Sequence, residues 1–432
     1  FTVSNYAFTF GPGDFAVEPR EVTLLAQRQA KAEGNALALD PTAITILDHD
    51  GDRILPNGER VQASEMVSVN GVAIDTGASR GLYFDEIRPS APVIGESGFD
   101  PANYTFTFLP ATLEVTAETA TALVVSNPHD DGPGSLREAI ETAPDASLIV
   151  FDPAVFNGEE RDHIRLNATL VIGPKAVVID ASDIPNGVTL SGQGATRVMF
   201  LETGSDVNLR SLHLMEGSDV FAAGLLVSAG ASCILENSTI YNCEAPANAG
   251  GGLANLGTTI ALNCTFHGNR ASFGAGIFNG AGASLDLFNC TVTGNEGTLC
   301  CAGIVARGER VYLENTIVAG NLAPAGTPRD VNDEAGTLSA LTSLIGDQTG
   351  AAGVFPAGLP NALGSFVGTS ESPLDPRLAG FSENGGSGLT QLPLPGSQAI
   401  DHGTATASLP LQDALRRPRI KGTQPDIGAV EA

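Results

Sequence analysis

The sequence predicts an all-β protein whose larger part is a parallel β-helix, and three observations carry that prediction. An asparagine returns every 26 residues, as Asn237, Asn263, Asn289 and Asn315 in the strings ENSTI, LNCTF, FNCTV and ENTIV. A second ladder follows each of the last three, as Gly268-Asn269, Gly294-Asn295 and Gly320-Asn321. Between the ladders, short β-branched runs alternate with glycine corners at Gly224, Gly252, Gly276 and Gly303, each followed by Leu or Ile. A constant period of this size is one supersecondary unit stacked on copies of itself. Three short strands and three turns fill such a unit, which makes one coil of a β-solenoid. Helical repeats are usually longer and carry fewer β-branched residues.

Composition narrows the class. The 432 residues allow one long solenoid with attachments, and 51 glycines with 26 prolines fit a turn-rich protein that is still 42% hydrophobic. Six cysteines are too few for a disulfide scaffold at this length. A net charge of −27 argues against nucleic acid and anionic membrane surfaces, whose phosphates it would repel. No apolar run approaches the ~18–20 residues of a spanning helix, so no membrane insertion is expected within this chain. Such acidity suits a secreted or cell-surface protein. The chain opens on Phe1 and is read either as a processed mature protein or as a piece of a longer one.

The elements are then expected in order. Residues 1–19 form a strand or hairpin segment, because Tyr6, Phe8 and Phe10 alternate with small residues and Gly11-Pro12 turns the chain. The same pattern returns 98 residues later, as Asn103-Tyr104-Thr105-Phe106-Thr107-Phe108-Leu109-Pro110, with Phe15 answering to Leu113 and Val17 to Val115. The second copy closes a β-module over 20–118. The first has no module before it and is read as an unpaired strand segment, a hazard or a device for association. Residues 119–345 are the β-helix. Ser135 and Glu138 make a capping box for a helix over 135–143, whose Leu136, Ile140 and Ala143 cover the open end of the solenoid. Residues 346–432 form an irregular segment expected to cover the far end.

Two resemblances sharpen this outline. NYTFTFLPATLEV, with the opening EVTLLAQRQAKAEGNALAL, resembles the mostly-β-grasp (MBG) modules that occur in tandem in bacterial surface proteins. The loop-helix opening DDGPGSLREAI, the Gly-Asn coils, and the closing strings NGGSGLTQLPLPGSQAIDHG and PDIGAVE resemble the choice-of-anchor Q family over about 120–432. That second resemblance implies a right-handed parallel β-helix on the bacterial cell surface, similar to polymorphic outer-membrane-protein repeats. It implies little about activity, since one fold hosts many functions.

Candidate chemistry is sparse. The asparagine ladder reads as structural, with stacked amides bonded to the next coil about 4.8 Å away. Cys264 and Cys290 share one slot on neighbouring coils with Ser238 and Thr316, and read as buried free thiols. Cys243 and the pair Cys300-Cys301 read as turn residues within reach of a neighbouring coil. Asp48, Asp50 and Asp52 alternate, with Glu59 further along, and could converge on one calcium ion. Arg53 stands where the EF-hand loop needs glycine, so the alternative is a solvated acidic turn. No other cofactor is required.

Aligned coils offer little to an enzyme. Acid–base cleavage of a polysaccharide needs two carboxyl groups about 5–10 Å apart. The slot before each ladder asparagine holds Arg210, Glu236, Leu262, Phe288 and Glu314, and another holds Asn208, Ile234, Ile260, Asp286 and Tyr312. Only Asp286 and Glu314 could be carboxylate neighbours, and Ile260, Leu262 and Phe288 look like an exposed packing patch. The expectation is therefore a non-catalytic bacterial extracellular protein, a self-associating subunit of a surface fibre or adhesive stalk. Its partners would be other copies, head to tail, with Tyr6, Phe8, Phe10, Phe15 and Val17 entering a neighbour by strand donation. Surface glycans, host polymers or cell-wall polymers are further candidate partners. The alternatives are a long monomeric adhesin of which this is a fragment, and a polysaccharide lyase or hydrolase.

Overall fold

The computed structural model describes residues 6–11, 14–46, 61–95, 100–116, 122–157, 163–327, 329–386, 388–406 and 408–432. They fall into two compact units, Phe1–Glu118 with Ala405–Leu411 and Ile420–Thr423, and Thr119–Thr404 with Gln412–Arg419 and Gln424–Ala432. The acidic run Asp48, Asp50, Asp52 and Glu59 lies outside the described residues.

In the first unit, β1 (Tyr6–Gly11) pairs antiparallel with the first part of β2 (Asp14–Ala26), from Tyr6↔Pro19 to Gly11↔Asp14. The segment read as a strand or hairpin without a parent sheet is thus a hairpin, and its second strand runs on into the module. The outer edge of β1 has no partner strand among the described residues. β2 continues past Pro19 into the module, where it pairs parallel with β7 (Tyr104–Leu109) and antiparallel with β4 (Ile44–Ile46). The remaining sheet runs β3 (Gln29–Ala32), β8 (Ala111–Thr116), β6 (Gly81–Gly95), β5 (Val61–Ser68).

The two sequence copies therefore fold differently. Only Pro110 separates β7 from β8, which is too short for a hairpin loop, so these strands enter different sheets. β7 keeps the expected alternation, with Tyr104 buried and Thr105 and Thr107 exposed, and it packs on a core containing Val22, Leu24, Ile44, Ile87 and Leu113.

The second unit is a parallel β-solenoid of about nine coils. Its first sheet has nine strands, from Leu123–Val125 to Leu338–Leu341, and its second also has nine, from His163–Arg165 to Phe366–Val367. A third has seven, from Leu170–Ile172 to Val331–Asp333. Alternation along each short strand sends Ile164, Leu190, Leu214, Ile240, Phe266, Val292 and Val318 of the second sheet inward, all at most 1% exposed. The helix α1 (Leu136–Thr142) starts at Ser135, whose Oγ accepts the Glu138 N–H at 3.2 Å, while Glu138 takes the Gly134 N–H at 2.6 Å. Leu136, Ala139, Ile140 and Ala143 join the coil core at its first rung.

The two asparagine ladders divide their labour differently from the expectation. Asn237, Asn263, Asn289 and Asn315 hold φ of 49°, 54°, 51° and 46°, so the first ladder marks left-handed corners that asparagine tolerates better than most residues. The amide stack belongs to the second ladder. Asn269 Nδ2 donates to Asn295 Oδ1 at 3.0 Å, Asn295 Nδ2 to Asn321 Oδ1 at 2.9 Å, and Asn321 Nδ2 to Asp330 Oδ1 at 2.8 Å. There the left-handed corner falls to Gly268, Gly294 and Gly320, at φ of 64–68°. Each glycine frees the following asparagine to point inward.

Cys233, Cys243, Cys264 and Cys290 are buried free thiols. Cys264 and Cys290 donate to carbonyls of their own and the preceding coil. Cys243 is an interior residue rather than an accessible turn residue.

Candidate functional site

The outward face of the second sheet carries the polar side chains. One column reads His163, Thr189, His213, Thr239, Thr265, Thr291, and a second reads Arg165, Ser191, Met215, Tyr241, His267, Thr293. Such a face would be the natural groove for a polymer, but from His213 onward it is covered by the chain's own C-terminal segment.

Gly388 lies on the His213 ring so closely that a Cβ would stand 2.3 Å from it. Thr239 Oγ1 donates to Leu389 O at 3.2 Å, and Thr293 Oγ1 bonds Gln391. Phe381 stacks on His267, ring centres 4.2 Å apart, and meets Tyr241 edge-on. Ala429 N donates to Thr291 Oγ1 at 3.1 Å. The covered Thr239, Thr265, Thr291 and Tyr241 are 1–4% exposed, and burial lowers the His267 pKa, which keeps that ring neutral. The irregular segment thus differs from the expected end cover. Only its first part, with Ala351 and Phe355 in the core, closes the far end.

The segment also claims the first asparagine ladder. Asn263 Nδ2 donates to Asn237 Oδ1 at 2.9 Å, but its second proton goes to Gln412 O at 2.8 Å rather than to Asn289. Arg419, 1% exposed, donates to Asn263 Oδ1, to Gly428 O at 2.9 Å and to Glu431 Oε1 at 3.2 Å. Asn315 exchanges two hydrogen bonds with Thr404, each 2.8 Å. The side chain of Asn289, fully buried, has no hydrogen-bond partner among the described residues.

On the first sheet, the carboxylates that could have served as an acid–base pair are occupied. Asp286 accepts Arg310 Nε at 2.6 Å, and Glu314 accepts the Tyr312 hydroxyl at 2.8 Å. Leu262 and Phe288 are buried at 5% and 3% exposure, so the expected exposed patch shrinks to the half-buried Ile260.

Among the described residues, a concave polar region lies open on the second sheet's face, at its first coils. A cleft of about 530 Å³ is walled by His163 and Arg165, by Asn167 and Gln193, and by His129 and Asp131 of the opening loop. Asp130 in its floor is committed to structure, accepting Arg137 Nη2 at 2.5 Å and the Asn167 N–H at 3.0 Å. Arg165 is exposed and forms no ion pair among the described residues, which is unusual in a chain with 49 acidic and 22 basic residues. A guanidinium there can grip a carboxylate, and two imidazoles can exchange protons. No group of three or more His, Cys, Asp or Glu suited to a metal occurs among the described residues. Sequence reading passed over this cleft because its histidines are scattered. The available signal was His163 and Arg165 two positions apart on a strand, hence on one face.

Residues 170–325 match the family of right-handed β-helix regions, so this unit is a right-handed parallel β-helix. Among solved structures, that of the pectate lyase Pel9A is similar over 73% of this chain and 97% of its own, at 12% identity and a TM-score of 0.24. No curated protein matches the chain in sequence.

Proposed function

We propose that the chain is a non-catalytic structural protein of the bacterial cell surface, a self-associating subunit of a fibre or adhesive stalk. The observation that carries this reading is the burial of the solenoid's polar face under its own C-terminal segment, from His213 to the far coils. A rod that seals its longest groove with its own chain gains rigidity and gives up a binding surface. Assembly would use the outer edge of β1, whose main-chain groups can add a strand from another copy. Tyr6, Phe8, Phe10, Phe15 and Val17 are the side chains assigned to that contact, and a head-to-tail contact that does not close gives a filament. Electron microscopy of the full chain and of a variant lacking residues 1–11 tests this. Filaments are expected from the first and compact, fully folded particles from the second. Normal filaments from the truncated chain, or monomers alone from the full one, would overturn assembly through β1.

A second reading has one specific observation behind it, the exposed Arg165, which forms no ion pair among the described residues, beside His129 and His163 in the open cleft. It is a polysaccharide-active enzyme acting on an acidic sugar polymer. Absorbance of unsaturated product from uronic-acid polymers, lost in Arg165→Ala, would establish it, and no turnover would dismiss it.

A further inference from the structure

Cys300 and Cys301 are adjacent, and their sulfurs are in contact at 2.7 Å. Cys301 is 1% exposed and holds a φ of +50°, whereas Cys300 is partly exposed and follows Leu299, itself 67% exposed. Hydrogen bonds to the preceding coil pin the turn on both sides. Thr298 N donates to Ala271 O at 2.9 Å, Leu299 N to Ser272 O at 2.9 Å, and Gly274 N to Cys301 O at 2.6 Å. These bonds fix the backbone of the turn that carries both thiols. Behind them lies an apolar cluster with Phe273 and Phe278, over whose rings Arg307 sits at 5.0 and 5.5 Å. The other four cysteines are sealed inside the coils at no more than 2% exposure and are inert to reagents in solution.

We propose that Cys300 and Cys301 form a reversible thiol site, which a low-molecular-weight disulfide oxidises to a disulfide between the two adjacent residues. Burial, reinforced by the neighbouring Cys300 sulfur, pushes the Cys301 thiol above its ordinary range, so the first attack falls to the accessible Cys300. Its thiolate attacks one sulfur of oxidised glutathione and expels a glutathione thiolate. Cys301 then attacks the Cys300 sulfur and expels the second glutathione, whose departing thiolate takes up the Cys301 proton. Two protein thiols and one glutathione disulfide become one protein disulfide and two glutathione thiols, with both electrons on glutathione. Neighbouring Cα atoms are about 3.8 Å apart, closer than the usual ~4.4–6.8 Å of disulfides, so the bond is easily reduced again.

The test is peptide mass spectrometry of the full chain, incubated natively with oxidised glutathione and then alkylated. The peptide holding Cys300 and Cys301 is expected to lose two hydrogens, take no alkyl group, and recover both thiols in dithiothreitol. The other four cysteines stay reduced. Cys301→Ser should stop at a mixed disulfide on Cys300, and Cys300→Ser should block the reaction. Both sulfurs alkylated after oxidation, or wild-type protein arrested as the Cys300–glutathione adduct, would overturn the proposal. The wild-type measurement decides even if a variant fails to fold.

Discussion

Asp330 Oδ1 accepts both the backbone N–H and the side-chain amide of Asn321, at 3.2 and 2.8 Å, and so ends the amide stack that begins at Asn269. Its other oxygen accepts the Asp347 N–H at 2.8 Å. Burial nevertheless outweighs these three bonds and raises the Asp330 carboxyl from an ordinary 3.8 to about 7.

This shift sets a pH dependence. Between about 4 and about 7 the native chain holds a proton that the unfolded chain has released, so stability falls as pH rises through that window and levels off above it. The full swing is at most about 4 kcal/mol, at roughly 1.4 per unit. Asp426 and Glu431 are raised by burial as well and act with the same sign. Asp330→Asn should flatten its share of the slope in melts from pH 4.5 to 7.5. An unchanged slope would mean that Asp330 is ionised throughout.

The two ladders should answer oppositely to substitution. Asn295→Ala removes the middle of the amide stack and takes the Oδ1 acceptor from the Asn269 backbone N–H and side-chain amide, at about 1–3 kcal/mol each, while Asn321 Oδ1 keeps the backbone N–H of residue 295. Asn289→Gly keeps the left-handed corner and removes an amide with no partner, so a change within about 0.5 kcal/mol is expected. Urea denaturation of the two variants measures this, and a larger loss for Asn289→Gly would reverse the assignment.

Arg419 should act as the latch of the C-terminal segment. Arg419→Ala leaves Glu431, 1% exposed, without its cation and Asn263 Oδ1 without its donor. Leaving each of these buried acceptors without its donor costs about 1–3 kcal/mol. Hydrogen exchange should then accelerate around Gly388–Gln391 and at Thr239 and Thr291, with the inner coil core still protected. Unaltered exchange there would show that the segment is held without Arg419.

Calcium is tested by removal. If Asp48, Asp50, Asp52 and Glu59 converge on an ion, chelation should lower the melting temperature of the unit that contains them and leave the β-helix transition in place, since a ligand bound only by the native state stabilises it. Identical melts with and without chelator would leave a solvated acidic turn.

The coil period, the capping helix at Ser135 and the inward slot of Ser238, Cys264, Cys290 and Thr316 were legible in the sequence. Each rests on contacts that recur at a fixed spacing, so a one-dimensional pattern repeats wherever the structure does. A subtler reading was also available. A Gly-Asn pair places glycine at the left-handed corner and frees asparagine to stack, whereas an asparagine without that glycine must take the corner itself. Only the tertiary structure decided where Gln412 and Arg419 lie, because they stand 149 and 156 residues from their partner Asn263. No period connects such pairs. Their match depends on shape, as where Gly388 meets the His213 ring, and on which buried polar groups the coils leave for a later segment to satisfy. For the same reason the open cleft beside Arg165 emerged only once the rest of that face was seen to be covered.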